Sequence, residues 1–76
     1  MPVRSSPANL ALGRAIRSAR EAAGHTQMTF ADRIGVGYRN YGSIERGEYN
    51  RTVDTLAKVA AGLGVRLSEL FRRAGL

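Results

Sequence analysis

Guanidinium groups are the side chains best equipped for chemistry in this 76-residue chain: eleven of its twelve basic residues are arginine, and only Lys58 breaks the pattern. Their planar forks match phosphate oxygens and guanine edges. Six acidic residues leave a net charge of +6. A balance that basic favours a polyanionic partner, nucleic acid first and acidic lipid or protein after it. Coding bias in a GC-rich genome explains the arginines equally well, given the many Ala and Gly residues, so their type alone decides nothing. Nor does their distribution locate a site. Arg4, Arg14, Arg17 and Arg20 lie near the start and Arg66, Arg72 and Arg73 near the end. Between them Arg33, Arg39, Arg46 and Arg51 face Asp32, Glu45 and Glu48, a local surplus of +1.

Other chemistries are poorly served. Without cysteine there is no disulfide framework or thiolate metal site. His25, the single histidine, supplies neither a metal cluster nor a catalytic triad and reads as inert in an exposed turn. A chain this short buries roughly 60% of its unfolded surface and is marginally stable, so help from a partner subunit is expected. A deep pocket would consume its core. No enzyme activity, cofactor or small-molecule ligand is therefore expected. No apolar run approaches the ~18 residues of a membrane span, and residues 1–9 do not resemble a signal peptide. The expectation is one soluble, cytoplasmic domain with no membrane partner.

Five short helices and no strand account for the pattern. Residues 1–6 read as a flexible arm. Ser6 caps a first helix with Pro7 in its first turn. Leu12, Ile16, Ala19 and Ala23 form its apolar stripe, and Gly24 ends it. Thr26 caps a second helix with Phe30, Ala31 and Ile34 inward, which Gly35 stops. A third helix spans about 37–46, with Tyr41 and Ile44 inward and Gly47 closing it. Positions 38, 39, 42 and 43 share the opposite face. Thr52 caps a fourth helix carrying Leu56, Val59, Ala60 and Leu63, with Gly62 and Gly64 bracketing its end. A fifth carries Leu67, Leu70 and Phe71. The folded domain is thus 7–72, and 73–76 is a short frayed tail.

Residues 27–46 meet several constraints together. Two helices joined by a tight turn at a steep angle need a small residue where they touch, a glycine at the turn and apolar inner faces. Ala31, Gly35, and Phe30, Ile34, Val36, Tyr41 and Ile44 supply these. Here the chain resembles the lambda-repressor/Cro-like (XRE-type) helix-turn-helix domains. The resemblance rests on IRSAREAAGHTQ (16–27), FADRIGV (30–36), IERGE (44–48) and TVDTLAKVAAGLGVRLSELF (52–71). It implies a compact five-helix, all-α DNA-binding domain whose third helix enters the major groove.

The resemblance also implies roles. Tyr38, Arg39 and Ser43 stand where the family reads base edges, with Gly42 on the same face. Arg39 suits bidentate contact with guanine, worth ~1–3 kcal/mol of discrimination. Gln27 matches a glutamine that meets a phosphate and braces the next helix. Asn40, Arg46 and Arg51 are further phosphate candidates, and Arg20 and Glu45 a structural brace. Several positions depart from the pattern. Gly37 replaces a capping hydroxyl and is a weaker cap. Tyr41 replaces an aliphatic residue, so its hydroxyl must find a partner or solvent. Gly42 costs roughly 1 kcal/mol relative to alanine and is expected to let the helix approach the groove closely. Arg51 replaces a proline, and Met28 and Thr29 replace an acidic pair.

Such modules usually pair on one face of DNA. The candidate homodimer seam is Leu67, Leu70, Phe71 and Leu76, part of which also closes the core. With no room for a sensing domain, control is expected through concentration. Restriction–modification controller proteins, small phage repressors and plasmid regulators are similar in size and type. An antitoxin-like module with secondary DNA autoregulation is the alternative, disfavoured by the absence of a long tail. A nonspecific RNA or membrane binder is disfavoured by few free aromatics and no basic amphipathic anchor.

Overall fold

A computed structural model describes residues 6–48 and 50–76. The expected arm therefore lies outside the described residues except for Ser6, and Arg4 with it. Five helices follow in order: α1 (Pro7–Ala22), α2 (Gln27–Ile34), α3 (Tyr38–Glu45), α4 (Val53–Leu63) and α5 (Leu67–Arg73). No strand forms among the described residues.

Hydroxyl caps set three of the helix starts. Ser6 Oγ accepts the Asn9 N–H at 3.0 Å, with Pro7 at the first helical position. Thr52 Oγ1 accepts the Thr55 N–H at 3.1 Å. At α2 the cap is reciprocal: Thr29 N–H donates to Thr26 Oγ1 at 3.1 Å, and Thr26 N–H returns to Thr29 Oγ1 at 3.0 Å. Thr29 thus performs the task a glutamate usually performs in a capping box. Gly37 caps α3 with no side-chain bond. Gly35, at φ +72°, turns the chain sharply between α2 and α3.

Tyr41, Phe30, Ile16, Leu70 and Val59 are the largest fully buried side chains, and Leu12, Ala31, Ile44, Leu56 and Ala60 complete the core. Each large apolar side chain contributes roughly 1.5–3 kcal/mol by leaving water. The Phe30 and Tyr41 rings pack tilted at 59° with centroids 5.3 Å apart. They fasten α2 to α3 directly beneath the turn.

Three expectations are corrected. On α1 the inward face is Leu12, Gly13, Ile16 and Arg20, whereas Ala23 is exposed. Gly13 belongs there because a Cβ would run into the backbone carbonyls of Ile44 and Glu45. Gly62 and Gly64 do bracket Leu63, the last residue of α4, and Gly62 packs under Phe30 and Ile34 where a Cβ has no space. The tail is not frayed from residue 73: α5 runs through Arg73, and Gly75 and Leu76 N–H groups return to Arg72 and Phe71 carbonyls at 2.9 and 3.0 Å. Leu70, expected at a dimer seam, has no exposed surface. It anchors α5 to the core and is closed to a partner.

Candidate nucleic-acid interface

The helix pair α2–α3 carries the expected contacts, and its orientation is set by a buried polar cluster. Glu45, at the end of α3, accepts Arg20 Nε at 2.7 Å on Oε2 and Arg20 Nη2 at 3.2 Å on Oε1. Gln27 Nε2 donates to Oε1 at 2.9 Å, and the Tyr41 hydroxyl donates to Oε2. Arg20 also donates to the His25 carbonyl at 2.8 Å, tying in the α1–α2 turn. The carboxylate therefore joins α1, α2 and α3 at one point. A buried ion pair is tolerable when its remaining hydrogen-bonding capacity is satisfied, as it is here.

Ionisation follows from these bonds. Burial works against the charge on Glu45, yet the bonds from Arg20, Tyr41 and Gln27 outweigh it and hold the carboxyl below its ordinary value. Burial, followed by the bond to Glu45, pushes the Tyr41 hydroxyl far above its usual range. The Glu45 bond raises the Arg20 guanidinium. At neutral pH the cluster is charged as Arg⁺ and Glu⁻ with a neutral phenol.

Outside this cluster, Tyr38, Arg39 and Asn40 occupy the first turn of α3 and are exposed. Their side chains make no hydrogen bond or ion pair with a described residue. Gln27, Tyr38, Arg39, Gly42 and Arg46 line an open notch of about 240 Å³. Its floor is Gly42, and the Arg46 guanidinium lies across it, with Nη1 3.1 Å from where a Cβ would stand. The space that glycine creates is thus filled by Arg46, which revises the expectation that it serves bare approach to the groove. Arg46 in turn forks onto Glu48.

Ser43 is not in that group. It is buried, donating its hydroxyl to the Asn40 carbonyl at 2.7 Å and accepting from Arg51 Nη2. In this arrangement it presents no free hydroxyl to a base edge and is a strut between α3 and the loop that follows. Arg51 is held against α3 by the same bond and is only partly accessible. At the expected seam, Leu67 and Phe71 are half-buried against the core and Leu76 is exposed. The residues expected at the site omit Glu48, which grips Arg46, and the exposed Val53. Val53 falls off the Leu56–Val59–Leu63 stripe, and Glu48 stands two residues after Arg46, so both signals were present.

Comparison with known proteins gives a consistent picture. A helix-turn-helix family model (HTH_3) matches residues 16–70. The control protein C.MunI from a Mycoplasma species is 46% identical over 46 residues, 60% of this chain and 62% of that protein's length. Among solved structures, the restriction–modification controller protein C.AhdI from Aeromonas hydrophila is 31% identical, with a TM-score of 0.77, over 80% of this chain and 92% of its own. The biofilm master regulator SinR, solved in complex with DNA, is 32% identical with a TM-score of 0.73, over 78% and 95% of the two chains.

Proposed function

The chain belongs to the helix-turn-helix family of DNA-binding transcriptional regulators, and from that premise we propose that it binds an inverted-repeat operator as a homodimer with α3 in the major groove. The observation that carries this reading is the first turn of α3. The Tyr38, Arg39 and Asn40 side chains are exposed, make no bond to another described residue, and are mounted on a helix whose opposite face is locked into the core. Rigid presentation of that kind is what base reading requires.

In this reading Arg39 pairs with a guanine through N7 and O6. Tyr38 packs on a thymine methyl or donates to a phosphate. Gln27 keeps one amide hydrogen on Glu45 and offers the other to a phosphate, and Asn40, Arg46 and Arg51 hold the backbone. Arg20 and Glu45 keep α3 at its working angle. A single short helix reaches few base pairs, so a pair of modules about 34 Å apart is needed for tight, selective binding. Leu67, Phe71 and Leu76 supply its seam. Occupancy then tracks concentration through dimerisation.

The test is selection from a random duplex pool at physiological salt, followed by sequencing of what stays bound. Enrichment of an inverted repeat with half-sites about one helical turn apart is expected. Retention of DNA with no shared sequence refutes operator reading.

A further inference from the structure

Glu48 follows α3 by three residues, and its backbone N–H donates to the Ser43 carbonyl at 3.0 Å, fixing it to the end of that helix. Its carboxylate accepts Arg46 Nε at 2.8 Å and Arg46 Nη2 at 3.2 Å, one oxygen to each nitrogen. A guanidinium gripped along that edge has its plane and direction set. The remaining nitrogen, Nη1, lies over Gly42 in the notch that Gln27, Tyr38 and Arg39 also line. It makes no hydrogen bond to a described residue. Glu48 is also the better covered partner, at 26% side-chain exposure against 59% for Arg46. The acid is the mount and the arginine is the part held out.

An exposed ion pair contributes little to stability, and an acid beside DNA repels phosphates. Glu48 therefore works against binding unless its hold on Arg46 compensates. We propose that Glu48 is a positioning residue that holds the Arg46 guanidinium across Gly42, so that Nη1 stands in the notch as a fixed contact to DNA. The proposal rests on the DNA reading above and adds to it the group that aims one of its contacts.

The two effects of Glu48 have opposite signs and separate in a cycle. Affinity for the selected duplex is measured by fluorescence anisotropy at fixed salt for the wild type, Glu48→Gln, Arg46→Ala and the double variant. With Arg46 present, Glu48→Gln is expected to weaken binding about threefold or more, the scale of one side chain losing its preorganisation. With Arg46 removed, repulsion of phosphates outweighs the weaker attraction between Glu48 and Arg51, and the same substitution should strengthen binding about twofold. Gly42→Ala pushes Nη1 aside without touching Glu48, so its loss of affinity should vanish in the Arg46→Ala background. Equal factors in both backgrounds overturn the proposal and leave the DNA reading intact. A wild-type protein that retains no duplex at all overturns both. A structural role alone would move thermal stability and leave no change of sign.

Discussion

Two glycines inside helices should respond in opposite directions to the same added methyl. In a solvent-facing helix interior, Gly→Ala stabilises by about 1 kcal/mol through lower backbone entropy. At Gly13 the new Cβ would meet the Glu45 carbonyl carbon and the Ile44 oxygen, each 2.9 Å away. Both are backbone atoms at the end of α3, so no rotamer change makes room. α1 has to move off α3, and Arg20, two turns further on, moves with it from Glu45. Overpacking of this kind costs about 3 kcal/mol, so the net loss is about 2 kcal/mol, or roughly 10 °C in Tm for a domain of this size. At Gly42 the only close neighbour among the described residues is the far end of the Arg46 side chain, at 3.1 Å. That group swings into solvent, so Gly42→Ala should raise Tm by about 5 °C while weakening DNA binding. Urea and thermal unfolding followed by circular dichroism read both. A Gly13→Ala protein as stable as the wild type would refute the close packing of α1 on α3.

Three further outcomes are expected. Because Glu45 is held below its ordinary value of 4.5, the folded protein binds that proton less readily than the unfolded chain. The stability this supplies is whole above 4.5 and fades as pH falls through the lowered value. Glu45→Gln should therefore lose about 3 kcal/mol at neutral pH and flatten the acid limb of the stability profile; an unchanged slope would locate the acid sensitivity elsewhere. Leu70→Ala should destabilise by about 2–5 kcal/mol, whereas Leu76→Ser should leave unfolding unchanged and weaken self-association in sedimentation, and the reverse pattern would exchange their roles. Arg39→Ala should erase preference at particular base pairs, while Arg46→Ala weakens all duplexes alike and lowers the salt slope by about one. Equal loss of selectivity in both would undo that division.

The helices were legible because their ends are written in local chemistry. Ser6, Thr26, Thr52 and Gly35 each act on neighbours within a few residues, and the apolar periods of α2, α3 and α4 point the same way. What sequence could not show was distance-dependent. Gly13 and Gly62 look like weak points in helices until another element is seen lying against them. Ser43 falls on the same helical face as Arg39, and only the approach of Arg51 from the next loop shows it to be enclosed. Leu70 and Leu76 are both apolar residues near the end of the chain; burial separates them, and burial depends on how α5 returns to α1. The Tyr41 hydroxyl called for a partner from the sequence alone. That the partner is Glu45, one turn away, follows from Glu45 already being drawn inward by Arg20.

These placements give α3 a division of labour along its length. It has eight residues, little more than two turns, and cannot both read and anchor with every turn. Tyr38, Arg39 and Asn40 in the first turn face outward with no side-chain bond to a described residue, while Tyr41, Ser43, Ile44 and Glu45 in the second are buried, all but Ile44 hydrogen-bonded through their side chains. Under the proposed reading, sequence preference resides in side chains whose replacement leaves the core and the Glu45 cluster untouched. Stability resides in side chains that never meet a base. Gly42 and Arg46 stand at the junction, because the missing Cβ admits a guanidinium mounted on the anchored turn into the notch of the reading turn. Exchanging residues 38–40 should accordingly redirect the protein to new duplexes at nearly constant Tm. An equivalent exchange at Gly42 should change affinity and stability together, because that position belongs to both halves of the helix.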